Sequence, residues 1–290
     1  MTAIAPQPGE LGLNPQIYGP ADFRDIKQMI HRMAGIDLPD HKATLVYSRL
    51  VPRLRATGTT DFGEYRKLLR TDRAERYSAL CALTTNHTQF FRESHHLDHM
   101  RRHLRDPWLE RLGAGGEVRI WSAGCSTGEE VWSILLSLMG PTASACADAR
   151  RGRLRLLASD IDRNVLRTAR AARYPVDALA GIPPELARHW TVRDGSEFTF
   201  SPELTDFAAF RMLNLIGEWP MRHRFDAIFC RNVMIYFDAP TKQRLLARLA
   251  AQLAPGGILY IGHSERITRD TLPDLMEIGP TIYRKEQAAA

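Results

Sequence analysis

Glu117–Leu138 reads EVRIWSAGCSTGEEVWSILLSL: a short run rich in β-branched and aromatic residues, a turn of small residues, then an apolar run long enough for a helix. The order predicts strand, turn and helix. Gly124 and Gly128 let the backbone turn sharply and approach a ligand closely. The spacing is Gly-x-x-x-Gly. It matches neither the GxGxxG of dinucleotide folds nor a loop ending in Gly-Lys-Ser/Thr. Glu129 and Glu130 put two negative charges at the helix N-terminus, where a phosphate would otherwise sit. Carboxylates there repel phosphate and welcome an ammonium. A ligand with an α-amino group, a ribose and no phosphate fits, and S-adenosylmethionine has that chemistry. The bland alternative is a plain strand-to-helix turn with two dipole-favoured glutamates.

Working outward, LRLLASD (Leu154–Asp160) is strand-like and precedes another helix-like run. Asp160 falls at its carboxyl end, where an acid can accept from ribose hydroxyls; Asp162 suits the N-cap of the next helix. FDAIFCRN is a further strand, TKQRLLARLAAQLAPGG a helix with a Gly stop, and ILYIGHS a strand. Strands alternating with helices predict an α/β, Rossmann-like, mostly parallel and doubly wound sheet. PTASACADARRG reads as a small-residue linker, and HWTVRDGSEFTFSPEL as an inserted hairpin turning at Asp194-Gly195. Residues 21–84 read as helices only, with Pro52 expected to kink or end one of them. RESHHLDHMRRHL predicts a helix over Arg92–Leu104, which would leave Arg92 in a first turn that disfavours cations. No internal repeat is present.

The chain has 290 residues, 44% hydrophobic and 25% charged, as in an ordinary globular protein. No apolar run approaches the roughly 18 residues of a membrane span. The start, MTAIAPQPGELGLNP, lacks the basic region and apolar core of a secretory signal. Cys81, Cys125, Cys146 and Cys230 are scattered without CxxC spacing, so neither a metal site nor a disulfide framework is expected, and a cytoplasmic location fits. The net charge of +6 favours an acidic partner without naming it.

TTNHTQFFRESHH, WSAGCSTGEEVWS, LLASDIDRNVL and the segment FDAIFCRNVMIYFDAPTKQRLLARLAAQLAPGGILYIGHSE resemble the CheR family of chemotaxis receptor methyltransferases. The resemblance runs from about Ala21 to the C-terminus. It implies S-adenosylmethionine-dependent methylation of glutamate carboxylates on the cytoplasmic domain of chemoreceptors, with S-adenosylhomocysteine as product. By position it implies cofactor contacts at Asn86, Thr88, Arg92, Ala123, Glu130, Asp160, Asn214, Leu215, Arg231 and Asn232, and a transfer site at Arg92 and Tyr236. The implied organisation is a disordered tail over 1–20, an all-helical receptor-docking domain over 21–90 and a methyltransferase domain over 91–290, with an antiparallel β-subdomain inserted at about 173–208. Phe90 and Phe91 would pack a lid down or plug the hinge between domains; His95, His96 and His263 read as structural.

Residues 41–70 hold seven Lys or Arg against Asp61 and Glu64. At helical periodicity Lys42, Arg49 and Arg53 fall within about 40° of each other. An ordinary solvated face would explain them; the resemblance implies the surface that docks acidic receptor helices. Family members that tether to a receptor's C-terminal pentapeptide have a longer, Gly-containing loop at the inserted hairpin, so this chain is expected to be pentapeptide-independent. It is expected to act as a monomer at receptor arrays on the inner face of the membrane, without inserting or binding nucleic acid. The alternative is a nucleic-acid or other protein methyltransferase of the same fold. A nucleic-acid enzyme would be expected to carry Asn-Pro-Pro-Tyr or a catalytic Cys where this chain has CRNVMIYF. A non-catalytic cofactor-binding module is the rival from another class.

Overall fold

A computed structural model describes residues 13–267 and 272–286. The chain divides into two compact units. One extends to Thr85 and takes in Tyr236–Asp238; the other comprises Asn86–Ile235 with the chain from Ala239 onward.

Among the described residues the first unit has four α-helices, α1 Pro20–Ala34, α2 Ala43–Thr57, α3 Phe62–Thr71 and α4 Arg73–Leu83, with a short 3-10 turn at Asp40–Lys42 ahead of α2. Gly35 and Gly58 end α1 and α2 in the left-handed conformation. Asp61 and Asp72 cap α3 and α4 by accepting N–H groups of their first turns. Pro52 does not end α2, which continues for more than a turn beyond it. Part of the segment read as a tail, residues 1–12, lies outside the described residues. Leu13–Gln16 are exposed, but the chain is anchored at Tyr18, which is buried with its ring 4.5 Å from Phe62.

Two of the three cations expected to form a docking stripe are committed to this unit's own fold. Arg53 pairs through its guanidinium with Glu75, whose Oε1 also accepts from the Tyr65 hydroxyl at 2.6 Å. Glu75 is only 6% exposed, so it needs the cation. Arg49 donates to the carbonyls of Leu83 and Thr84 at 3.0 and 2.8 Å, satisfying acceptors that the end of α4 leaves open. Lys42, just ahead of α2, is exposed.

The second unit begins with α5 Ser94–His103 and α6 Arg105–Gly113. There follow β1 Glu117–Ala123, α7 Glu129–Met139, α8 Ser144–Arg151, β2 Arg153–Asp160, α9 Arg163–Ala171 and β3 Arg173–Pro175. Next come α10 Pro184–Trp190, β4 Thr191–Asp194, β5 Glu197–Phe200, α11 Pro202–Thr205 and β6 Ala208–Met212. The chain closes with β7 Phe225–Cys230, α12 Ala239–Gln252, β8 Leu253–Ile261, β9 Leu275–Gly279 and β10 Ile282–Lys285. Seven strands form one sheet in the order β6-β2-β1-β7-β8-β10-β9. The pairings among β6, β2, β1, β7 and β8 are parallel, while β10 runs antiparallel to both its neighbours. The α/β doubly wound expectation holds. β1 lies between β2 and β7, so the strand order reverses there, and the turn after β1 opens at the switch point where such sheets bind ligands.

α7 is buried on every side from Val131 to Met139, which explains its unbroken apolar sequence. The segment read as a linker is instead α8. Its small residues Ala145, Cys146 and Ala149 are buried, because a helix of short side chains can lie close against its neighbours. β3, β5 and β4 form a separate antiparallel sheet, with Gly195 at φ 60° in the two-residue turn between β4 and β5.

Candidate active site

The turn after β1 is fastened to β2. The N–H groups of Gly124 and Cys125 both donate to the Ser159 carbonyl, at 2.8 and 2.9 Å. Gly124 has φ 90°, and a Cβ there would collide with Val233, so no other residue allows this approach. Gly128, at φ 99°, caps α7. Ala123 is buried at the end of β1. The side chain of Glu130 is 13% exposed; its Oε1 accepts from Ser122 Oγ at 2.6 Å, and its Oε2 lies 3.5 Å from Arg231 Nη1. Burial raises the Glu130 pKa, against the Arg231 charge and the Ser122 hydrogen bond. Its neighbour Glu129 is raised by burial too and accepts instead from Thr127 Oγ1.

Asp160 ends β2 and is 9% exposed. One of its oxygens accepts from Ser126 N and the other from Asp162 N, at 2.9 and 3.0 Å. Burial raises its pKa and these N–H groups pull it back. Asp162 caps α9 through Asn164 N, and its other oxygen takes Asn86 Nδ2 at 3.3 Å. Asn86 is thereby brought beside the turn, its carbonyl accepting from Ser126 Oγ. Thr88 is half-buried in the same irregular run. Asn214 follows β6 and turns the chain by accepting from Ile216 N, while the buried Leu215 gives its carbonyl to Arg248. The Arg248 guanidinium also lies 3.9 Å over the Trp219 ring.

Arg92 is not in a helix. α5 starts at Ser94 with Glu93 as its N-cap, and Phe91 and Glu93 both take left-handed backbone at φ 53° and 49°. Arg92 therefore lies outside the dipole's first turn, and no electrostatic compromise is needed to keep it there. Its guanidinium donates to the His87 carbonyl at 3.0 Å, and its own carbonyl accepts from Arg231. Phe90 is buried rather than solvent-facing: its ring lies 5.0 Å from Tyr174 and 5.8 Å from Phe200, on the three-stranded sheet.

Sequence reasoning passed over Glu93. Its carboxylate accepts from Asn232 Nδ2 at 3.1 Å and His263 N at 3.3 Å, and lies 3.4 Å from Arg231 Nε. Burial works to raise its pKa, but the Asn232 hydrogen bond, the Arg231 charge and His263 outweigh it and hold it at about 2. The sequence signal was only its position beside Arg92. Asn232 takes φ 59°, and a Cβ on Gly262 would come within 2.6 Å of its nitrogen. Tyr236 groups with the helical unit, where its carbonyl accepts from Asp37 N at 2.8 Å.

Glu130 and Asp160 flank a turn in which Gly124 and Gly128 take φ 90° and 99°, and the helix it feeds carries acids at its head. This pair of acceptors suits a ligand bearing an ammonium and a vicinal diol, and disfavours one bearing phosphate. No group of three or more His, Cys, Asp or Glu able to hold a metal occurs among the described residues. Among them, too, no helix is long and apolar enough to cross a membrane.

Residues 86–279 match the CheR methyltransferase S-adenosylmethionine-binding domain, and residues 21–84 match the CheR all-alpha domain. The chain is 41% identical over 262 residues to a "Probable chemotaxis protein methyltransferase" of Rhizobium etli, covering 88% of this chain and 96% of that protein. It is also 41% identical over 255 residues to the chemotaxis protein methyltransferase of Escherichia coli K12, covering 86% of this chain and 85% of that one.

Proposed function

Since the chain belongs to the CheR methyltransferase family and is an S-adenosylmethionine-dependent methyltransferase, we propose that it converts glutamate side chains of chemoreceptor cytoplasmic domains into methyl esters. The observation that carries this reading is the pair of acids, the largely buried Glu130 of α7 and the buried Asp160 of β2, on either side of the Gly124–Gly128 turn at the sheet's switch point. Glu130 would take the cofactor's ammonium and Asp160 its ribose hydroxyls, with Asn214 and Leu215 beside the adenine. When bound, S-adenosylmethionine would supply a methyl already activated by its sulfonium, so that forming a C–O bond to a carboxylate oxygen would break the S–CH3 bond and release a neutral thioether.

A glutamate side chain, with an ordinary pKa of about 4.3, is ionised at neutral pH and needs no general base. Arg92 is suited to orient that carboxylate, since among the described residues its side chain's hydrogen bond goes to one backbone carbonyl, that of His87. Asn86 and Thr88 line the same approach in this reading. Tyr236 enters it from the family motif alone. The chain's residues contribute by alignment, which can supply roughly 7–11 kcal/mol. Desolvation has to stay moderate, because a carboxylate stripped of all water takes up a proton and stops attacking.

For receptor recognition we infer docking by the helical unit through exposed cations such as Lys42, with Arg49 and Arg53 contributing shape rather than free charge. The two-residue turn at Gly195 supports a tether-free mode, and we propose a monomer that meets receptor arrays from the cytoplasm. Incubation with methyl-labelled cofactor and receptor-containing membranes tests the reaction: base-labile label on receptor supports glutamate esters, and base-stable label overturns them. Titration of a receptor tail peptide tests the tether, and saturable micromolar binding would sink the tether-free mode.

A further inference from the structure

We infer that Glu93 is a positioning residue, whose carboxylate holds Arg231 against Glu130 and so keeps that acid set to receive a cationic ligand. The inference rests on Glu130 as the ammonium partner. Glu93 adopts φ 49°, a conformation that residues with a Cβ rarely take, and its side chain caps no N–H of α5. Within the helix, the side chain's Oε2 only approaches His96 Nδ1, at 3.6 Å, without capping an N–H. Both oxygens are instead given to other elements: Oε1 accepts from Asn232 Nδ2 and from His263 N, and Oε2 faces Arg231 Nε.

Arg231 is 3% exposed at its side chain and has no freedom left. Its Nε edge lies on Glu93, Nη2 on the Arg92 carbonyl, and Nη1 is 3.5 Å from Glu130. A guanidinium is a planar fork, so fixing two of its edges aims the third. Glu93 and the Arg92 carbonyl are those two fixed points. Because Glu93 also binds the loop after β8 through His263 and the loop after β7 through Asn232, one carboxylate sets the relation of three loops to the head of α7.

The groups facing Glu130 are Arg231 from the end of β7, the Ser122 hydroxyl from β1, and Arg92 and Glu93 from the loop ahead of α5. The Cys125 and Cys230 thiols are also near and kept neutral, their pKa values raised by burial. Burial raises Glu130; the Arg231 charge opposes this more strongly than the Glu93 charge adds to it. Two roles for Glu93 therefore predict opposite signs. As a mere neighbouring charge, its loss would lower the Glu130 pKa. As the holder of Arg231, its loss frees the opposing cation, and the Glu130 pKa rises.

Calorimetric titration of S-adenosylhomocysteine into the full chain, across about pH 5 to 8, separates these signs. In the wild type, affinity should fall on the acid side as Glu130 takes up a proton. In Glu93→Ala that limb should lie at higher pH, and in Arg231→Ala higher still. At a fixed acidic pH, binding should weaken about tenfold for every pH unit by which the limb has moved. Glu93→Gln, which keeps the shape, repeats the measurement should the alanine variant not fold. A limb that stays put or moves to lower pH overturns the inference. Glu130→Gln is the control. If it binds normally, the Glu130 reading falls and takes this inference with it; if it binds poorly while the limb of the Glu93 variants does not move up, the inference alone falls.

Discussion

The Ser126 N–H donates to Asp160 at 2.9 Å, so the acid at the end of β2 braces the turn it faces before any ligand arrives. The backbone N–H groups of Ser126, Asp162 and Ile161 all hydrogen-bond this carboxylate, which when ionised accepts about four, so it still has acceptor capacity to offer. Asp160→Ala should therefore weaken cofactor binding by roughly 1.5–3 kcal/mol, the range for hydrogen bonds to a charged group. Calorimetry with S-adenosylhomocysteine reads it. An unchanged affinity in a folded variant would remove Asp160 from the site.

Arg92→Ala should cut turnover while leaving stability within about 0.5 kcal/mol, as for other surface substitutions. The reason is local. The variant loses a guanidinium held by the His87 carbonyl, yet keeps the backbone carbonyl on which Arg231 rests. Normal methylation kinetics would exclude Arg92 from the transfer step.

The helical unit offers a contrast between recognition and scaffold. Lys42→Glu should raise the receptor KM, with no change in Tm, by an effect that shrinks with added salt, since charges are screened over about 10 Å at 0.1 M. Arg53→Ala should do the reverse: it leaves Glu75 buried without its cation, at about 1–3 kcal/mol of stability, and should leave cofactor affinity alone. Equal effects of the two variants on KM and Tm would count against the division.

Glu265 is 7% exposed and accepts from Gly262 N at 2.7 Å. Burial pushes its pKa up from 4.5 to about 7, against the backbone N–H groups. Between those values the folded state keeps a proton that the unfolded chain has lost. Stability from this group is therefore complete below 4.5, declines as pH rises through the window, and levels off above about 7. Glu265→Gln should flatten that slope in denaturant melts; an unaltered slope would assign it elsewhere.

How legible the site was follows from the range of each interaction. The strand, glycine turn and helix of Glu117–Leu138 are local, and the residues that make the turn stand next to the residues that use it. The same holds for Asp162, whose capping partner is two residues away. Glu93 was hidden because its partners lie about 140 and 170 positions downstream, and no periodicity links them. Arg49 and Arg53 had the right spacing for an open stripe, but spacing along a helix says nothing of the carbonyls and carboxylate that another helix brings to them. Arg92 was placed in a helix because RESHH has helical composition; what stops the helix is left-handed backbone at Phe91 and Glu93, which ordinary residue preference does not announce.

Phe90 belongs to the aromatic cluster formed by Tyr174, Phe198 and Phe200, while Arg92 stands only two residues further along. The three-stranded sheet is thus the mooring of the segment that carries the arginine. A chimera that exchanged β3, β4 and β5 for those of a relative would not be a modular swap of a recognition element. Unless the incoming strands rebuilt a socket for a phenylalanine, the graft would slacken the Arg92 loop, and a change intended for partner choice would be read out as lost turnover.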